Sequence, residues 1–238
     1  MKYKNIEKGR FIERPNRFIA RVEINGQTET VHVKNTGRCK ELLREGCTVY
    51  LEKSDNPERK TQYDLVAVEK LREGKPPLLI NMDSQIPNAA AEEWLSKGNI
   101  FSEKSIIRRE VKYGASRFDF YIEDGERKAF LEVKGVTLEK DGVAMFPDAP
   151  TERGVKHINE LVKCMADGYE AYILFVIQMK EVSLFTPNYE THSEFGKALC
   201  EAERAGVKIM AVDCVVTEES IEIDSEVRVQ LQSSKKDG

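Results

Sequence analysis

The chain has 238 residues, 40% of them hydrophobic, and a net charge of −4, which is enough apolar material for one large core or two modest ones. No apolar run is long enough to span a bilayer, and the opening MKYKNIEKGRF has the charge of a signal peptide without an apolar stretch behind it, so membrane insertion and export are not expected and the cytoplasm is the expected compartment. The cysteines (Cys39, Cys47, Cys164, Cys200, Cys214) are odd in number and never form a CxxC pair, which argues against a thiolate metal site or a disulfide framework and for buried small hydrophobes in a reducing environment.

The acidic total hides a basic beginning. Residues 1–50 carry eleven Lys and Arg against six Asp and Glu, whereas the stretch from Glu194 onward is rich in acid. A local basic face suffices for phosphate contacts, with ordinary solvated surface charge as the alternative. Between residues 10 and 70, the runs RFIARVEIN, TETVHVKN, CTVYLEKSD and TQYDLVAVEK alternate apolar and polar residues at period two and predict strands. Asn25-Gly26, Gly37, Gly46 and Asn56-Pro57 punctuate them, and GRCKELLREG, closed by Gly46, is the one candidate helix. This pattern predicts a small β-barrel of the OB type, although an SH3-like barrel would read much the same. The segment EGKPPLLINMDSQIPN (73–88), with three prolines, reads as a connector, and the two domains are placed at 1–84 and 85–238.

Asn88 is expected to cap a helix, AAAEEWLSKG, that ends at Gly98. SIIRREVKY, SRFDFYI and KAFLEVKGV then read as strands. A helix from Thr151 to Gly168, the apolar strand AYILFVIQM, a second helix SEFGKALCEAERAG and the strand VKIMAVDCVV follow. A hairpin leading into β-α-β units with apolar central strands predicts an α/β sheet covered on both faces. The polar tail SSKKDG is expected to fray.

The chemistry concentrates in SRFDFYIEDGERKAFLEVKG. Alternation places Phe118, Phe120 and Ile122 on one face and Asp119 on the other. On the next strand Ala129, Leu131 and Val133 face the core, with Glu132 and Lys134 opposite. A type II′ turn at Gly125-Glu126 pairs Asp124 with Arg127, Glu123 with Lys128 and Phe120 with Leu131, and sets Asp119 opposite Glu132, with Cβ atoms roughly 4.5–5.5 Å apart. A turn at Asp124-Gly125 would instead bring Asp119 beside Phe130; the first register is preferred because it makes both charge pairs. Two opposed carboxylates with a lysine on the same face call for a cation, and Mg²⁺ (or Mn²⁺) on Asp119 and Glu132 is the natural one. It would polarise a phosphate and acidify a water, with Lys134 orienting that water or stabilising the developing charge. A bare D-x₁₂-E-x-K is more often a solvated strand face; the hydrophobic alternation and the hairpin register are what favour the site.

On the next helix, Val155, Ile158, Leu161, Val162 and Met165 form the apolar stripe, while Arg153, Lys156, His157 and Glu160 share another face. Near a metal site Arg153 and Lys156 would hold DNA phosphates and His157 would assist proton transfer; a solvated face with a Glu160 ion pair is the alternative. Asp148, in the FPDA loop at the helix start, tips the balance toward function. His32 and His192 read as structural or exposed.

The motifs NTGR (35–38) followed by ELL, EVKYG (110–114), SRFDF (116–120), EVK (132–134) and FPDAPTERGVKH (146–157) resemble those of the sugar fermentation stimulation protein A family of prokaryotes over nearly the whole chain. The resemblance implies an α+β two-domain protein: an OB-like barrel followed by an α/β restriction-endonuclease-like PD-(D/E)xK domain that binds DNA, with a regulatory link to sugar (maltose) metabolism. Asp119, Glu132 and Lys134 match the nuclease triplet, and Glu93 matches the acid such nucleases often carry on their first helix, with Glu92 and Glu110 as competitors. Cys39 stands where the family more often has methionine. In the basic domain, Arg14, Arg17, Arg38 and Lys40 are the candidate DNA contacts, with Phe11 and Phe18 read as core rather than stacking residues.

Two functions follow. One is a metal-dependent endonuclease acting on DNA, double- or single-stranded, as one chain or as a homodimer. The other is a non-catalytic, weakly sequence-selective DNA-binding regulator of sugar metabolism genes, suggested by the lack of a helix-turn-helix. A sugar- or nucleotide-binding enzyme has no GxGxxG or Walker loop to support it.

Overall fold

The structure is a computed structural model and describes residues 1–35 and 37–232. Thr36 of the NTGR turn and the SSKKDG tail lie outside the described residues. No helix among them is long and apolar enough to cross a membrane.

The first half is a six-stranded sheet closed on itself. β1 (Ile6–Asn16), β2 (Ile19–Ile24) and β3 (Gln27–Val33) form a meander; β4 (Thr48–Lys53) pairs with β1, and β5 (Tyr63–Arg72) pairs with β4. A parallel contact from β3 to β5, His32 beside Asp64, closes the ring in the order β1-β2-β3-β5-β4, which is the OB barrel. The alternation works as expected: Ala20, Val22 and Ile24 point inward, and Asn25 and Gly26 both take positive φ, as a type I′ turn requires.

Two expectations fail here, and one strand is additional. GRCKELLREG is not a helix. Cys39 sits at φ +45, the amides of Leu42 and Leu43 both turn back onto its carbonyl, and the three side chains plug the barrel end. A segment this short has little helical stability of its own, so burial of Cys39, Leu42 and Leu43 decides its path. The additional strand is β1, which is charge-rich and lacks strict period-two alternation of burial. The proline segment also holds a strand, β6 (Lys75–Asn81), which pairs only with β5 within the sheet; as an edge strand it tolerates exposed Pro76 and Pro77.

The second half is a nine-stranded sheet ordered β10-β11-β13-β15-β14-β12-β9-β8-β7. β7 (Ile106–Tyr113), β8 (Ser116–Asp124) and β9 (Arg127–Val136) form an antiparallel meander, and β12 (Glu170–Ile177) lies parallel between β9 and β14 (Lys208–Val216), which explains its unbroken apolar run. β10 (Leu138–Lys140), β11 (Val143–Phe146), β13 (Leu184–Pro187) and β15 (Ile221–Val229) complete it; they are short or charge-rich and escape a periodicity search. α1 (Ile86–Ser96) covers one face through Trp94 and Leu95, above Phe120, Leu131 and Tyr172. α2 (Glu152–Ala166) and α3 (Ser193–Arg204) cover the other. Thr151 caps α2 by accepting from the Gly154 amide at 3.0 Å. Asn88 caps nothing: α1 starts at Ile86 with Pro87 in its first turn, so Asn88 lies inside the helix.

The two halves share buried polar contacts. Gln178, after β12, donates to the Asn81 side chain at 2.9 Å and to the Asp83 carbonyl at 3.1 Å, and Lys70 meets Glu139 at 2.5 Å.

Candidate active site

The β8–β9 hairpin has the preferred register. Asp124 pairs with Arg127, Glu123 with Lys128 and Phe120 with Leu131, around a turn in which Gly125 has φ +62. The regular ladder ends at Phe120–Leu131, so the anticipated Asp119–Glu132 pair is not part of it. Beyond that point the chain bends. Phe118 turns to the α2 face, its ring 5.2 Å from that of Phe130 and 6.3 Å from the His157 ring, while Phe120 stays on the α1 face. The bend lets Asp119 fold back onto β9: one carboxylate oxygen accepts the Val133 amide at 2.7 Å and the other accepts Nδ2 of Asn88, also at 2.7 Å.

Glu132 is 3% exposed. Its Oε1 meets both His157 Nδ1 and Lys134 Nζ at 2.5 Å. Arg153 Nε approaches His157 Nε2 at 3.4 Å; an Nε2 that accepts leaves the ring proton on Nδ1, directed at Glu132. The other oxygen, Oε2, is buried without any hydrogen-bond partner. An orphaned buried carboxylate oxygen costs on the order of 1–3 kcal/mol unless a cation or donor partners it.

The two carboxylates differ in proton affinity. Burial, reinforced by the Glu132 charge, raises the Asp119 pKa above the usual aspartate range, against the pull of the Val133 amide, Lys134 and Asn88. Burial also acts to raise Glu132, but the His157 hydrogen bond and the Lys134 charge outweigh it and hold the group below the usual glutamate range. The donor set suits a hard divalent cation. Among the described residues no three or more His, Cys, Asp or Glu side chains cluster to enclose a metal, but Mg²⁺ is commonly held by one or two carboxylates plus water and phosphate.

Asp119, Glu132, Lys134 and His157 therefore come together, and Glu93 does not join them. It pairs with the Met1 amine at 2.9 Å and with Lys97 at 3.7 Å. Five residues along a helix turn its side chain about 140° from Asn88, away from the hairpin. Glu92 pairs with Arg109, and Glu110 is exposed on β7. Asn88 is the α1 residue that reaches Asp119; Pro87 before it was the available signal that it lies within the first helical turn.

Arg14, Arg17, Arg38 and Lys40 line one cleft of about 470 Å³, with Ala149 of the FPDA loop also at its wall. Arg14 has a structural role within it. Its guanidinium donates to the carbonyls of Gly37 and Arg38 at 2.9 Å and to those of Arg17 and Asn35 at 2.6 Å, tying the NTGR loop to the β1–β2 turn. Asp148 packs against Gly37, where a Cβ would collide with its carboxylate. Arg153 and Lys156 are exposed on α2, and Lys156 donates to the Ala115 carbonyl at 3.1 Å. Phe11 is buried as read, whereas Phe18 is 49% exposed. His32 pairs with Asp64 at 3.1 Å, and buried His192 accepts the Thr151 amide at 3.3 Å.

Comparison with known proteins agrees with this architecture. A family model described as the SfsA N-terminal OB domain matches residues 12–74, and one described as the Sugar fermentation stimulation protein RE domain matches residues 85–220. A sugar fermentation stimulation protein homolog of Ruminiclostridium cellulolyticum is 60% identical over 97% of this chain and 100% of its own length. One from Desulfitobacterium hafniense is 58% identical over 97% and 99%. The solved structure of Pyrococcus furiosus SfsA in complex with Ca²⁺ is similar with a TM-score of 0.82 and 31% identity, covering 97% of this chain and 98% of that one.

Proposed function

The chain belongs to the sugar fermentation stimulation protein family, with an OB domain followed by an RE domain, and from that premise we propose that it is a divalent-metal-dependent nuclease acting on DNA. The observation that carries this reading is the buried, unpartnered Oε2 of Glu132, whose carboxylate lies against Lys134 and interacts electrostatically with Asp119. Asp119 and Glu132 would hold Mg²⁺ or Mn²⁺, which when bound polarises the scissile phosphate and acidifies a water. The Pyrococcus furiosus relative, solved with Ca²⁺, supports a hard divalent ion, since Ca²⁺ and Mg²⁺ both prefer oxygen ligands.

The chain's own groups do the positioning. Asn88 and the Val133 amide fix the Asp119 carboxylate, and His157 holds Glu132 by Oε1 so that Oε2 stays free. The Lys134 ammonium lies against Glu132, where it can donate to a non-bridging phosphate oxygen as negative charge develops. Arg153 and Lys156, exposed on α2, would hold flanking phosphates. The five free cysteines, four of them buried, fit a reducing cytoplasm.

Calorimetric titration of Mg²⁺ and Mn²⁺ into wild type and Asp119→Ala, with plasmid nicking on the same samples, tests this. The expected result is binding and nicking in wild type and neither in the variant. No cleavage of any DNA or RNA form with either metal overturns it. A second reading, a DNA-binding regulator that does not cut, is favoured by one observation: α1 presents Asn88 rather than an acid to the pair, leaving two carboxylates. It expects binding that weakens steeply with salt and no metal-dependent cleavage.

A further inference from the structure

Phe18 is the one exposed aromatic side chain among the described residues. Period-two alternation would put it inward beside Ala20, Val22 and Ile24, but β2 begins only at Ile19, and Phe18 belongs to the turn before it. That turn is rigid. The Asn16 side-chain oxygen accepts the amides of Phe18 at 2.9 Å and Ile19 at 3.1 Å, and the Phe18 carbonyl accepts the Val33 amide at 2.8 Å. An apolar ring is thus held in solvent by a backbone fixed on both sides, with the Arg17 guanidinium 5.5 Å from its centroid.

The surroundings have the opposite character to the ring. Arg17, Arg38 and Lys40 are exposed at the adjoining cleft, and among the described residues none has a carboxylate partner. Three exposed cations beside one presented ring form a local surface that can meet a phosphate backbone and a base together. The turn is also the loop between the first two barrel strands, a place where OB barrels take oligonucleotides. Ala149 at the cleft wall lies two residues before the α2 cap, and from Glu152 to His157 the helix advances only about 8 Å toward Glu132.

From the ring, the free cations and this connection we propose that Phe18 is a stacking platform for an unpaired base, so that the barrel takes single-stranded DNA and leads it along α2 to the Asp119–Glu132 pocket. A duplex keeps its bases stacked on each other and has none to offer the ring; a single strand does, whatever its sequence. This deepens the nuclease reading by naming its substrate, and only the final step toward the pocket rests on that reading.

The test measures binding in EDTA, where no cutting intervenes, by fluorescence anisotropy of labelled oligothymidylate and of a duplex of equal length. Phe18→Ala is expected to lose about five- to a hundredfold in single-strand affinity and to keep its duplex affinity. Phe18→Trp is expected to retain binding, and its new indole emission, measured against the wild-type background from buried Trp94, to be quenched by oligothymidylate. Equal single-strand affinity of wild type and Phe18→Ala, equal loss on both substrates, or an unquenched indole would each overturn the proposal. Intact stacking without cleavage in Mg²⁺ would sink the nuclease reading and leave this one standing. Cleavage by a Phe18→Ala protein of undiminished single-strand affinity would do the reverse.

Discussion

The hairpin pocket and the barrel cleft handle charge in opposite ways. In the pocket, Glu132 is almost entirely buried, and three of the four oxygens on the two carboxylates are hydrogen-bonded. In a medium of low effective dielectric, neighbours change proton affinity strongly, and one carboxylate is driven up while the other is held down. In the cleft, Arg17, Arg38 and Lys40 face water, where each charge acts weakly and is screened by salt. On the proposed reading, the buried site would grip one ion, and the exposed surface would attract a polyanion without fixing its sequence. Arg14 stands between these regimes: it lines the cleft, yet its guanidinium is spent on four backbone carbonyls.

That contrast can be tested in descending order of effect. Glu132→Gln removes the free anionic oxygen while preserving size, and cleavage is expected to fall by about a thousandfold or more, with DNA affinity in EDTA unchanged. A parallel loss of affinity would show that pocket and cleft are not separate. Arg14→Ala should cost about 2 kcal/mol in chemical denaturation, because several carbonyls lose a charged donor. Lys40→Ala should leave stability within about 0.5 kcal/mol and reduce the salt dependence of DNA binding by roughly one ion. If the two variants behave alike, the assignment of Arg14 to structure is wrong.

A further test concerns the metal-free pair of carboxylates. Because the folded-state pKa of Asp119 is raised, its contribution favours the fold at low pH and is lost as pH rises through that value, leaving a penalty at neutrality. Asp119→Asn should therefore stabilise the metal-free protein at neutral pH by on the order of 1 kcal/mol, the Asn88 amide turning over to accept from the new amide. In thermal melts with EDTA the gain should shrink toward the acid side. A variant that melts lower than wild type at neutral pH would contradict the pocket's electrostatics. With Mg²⁺ present the order should reverse, since a ligand that binds only the folded wild type stabilises it by mass action.

Much of this was legible beforehand, for local reasons. The hairpin register follows from a glycine suited to the first position of a II′ turn and from two charge pairs that no shifted register satisfies. α2 is marked by its cap, its apolar stripe and its closing glycine, and the same periodicity places His157 one turn from Arg153 on a shared face. Other features were hidden because they depend on distant partners. Asn88 has the residue type of a cap, but Pro87 starts the helix earlier, and only packing of α1 over the hairpin brings Asn88 to Asp119. Glu93 looked suited to the site and is turned away to the amino terminus. Phe18 kept the alternating pattern of β2 on paper while lying in the turn before it.

From its residues alone, the chain determined which strands alternate, where the hairpin turns, and that Asp119, Glu132 and Lys134 lie close together. These follow from φ preference, side-chain period and neighbouring charge, all of which act within a few residues. The tertiary structure decided the bend that swings Asp119 onto the Val133 amide, the orphaned oxygen of Glu132, the pinning of Arg14 and the exposure of Phe18. Each of these is a matter of which hydrogen bond or apolar contact is still available once remote segments have packed, and no local pattern carries that information.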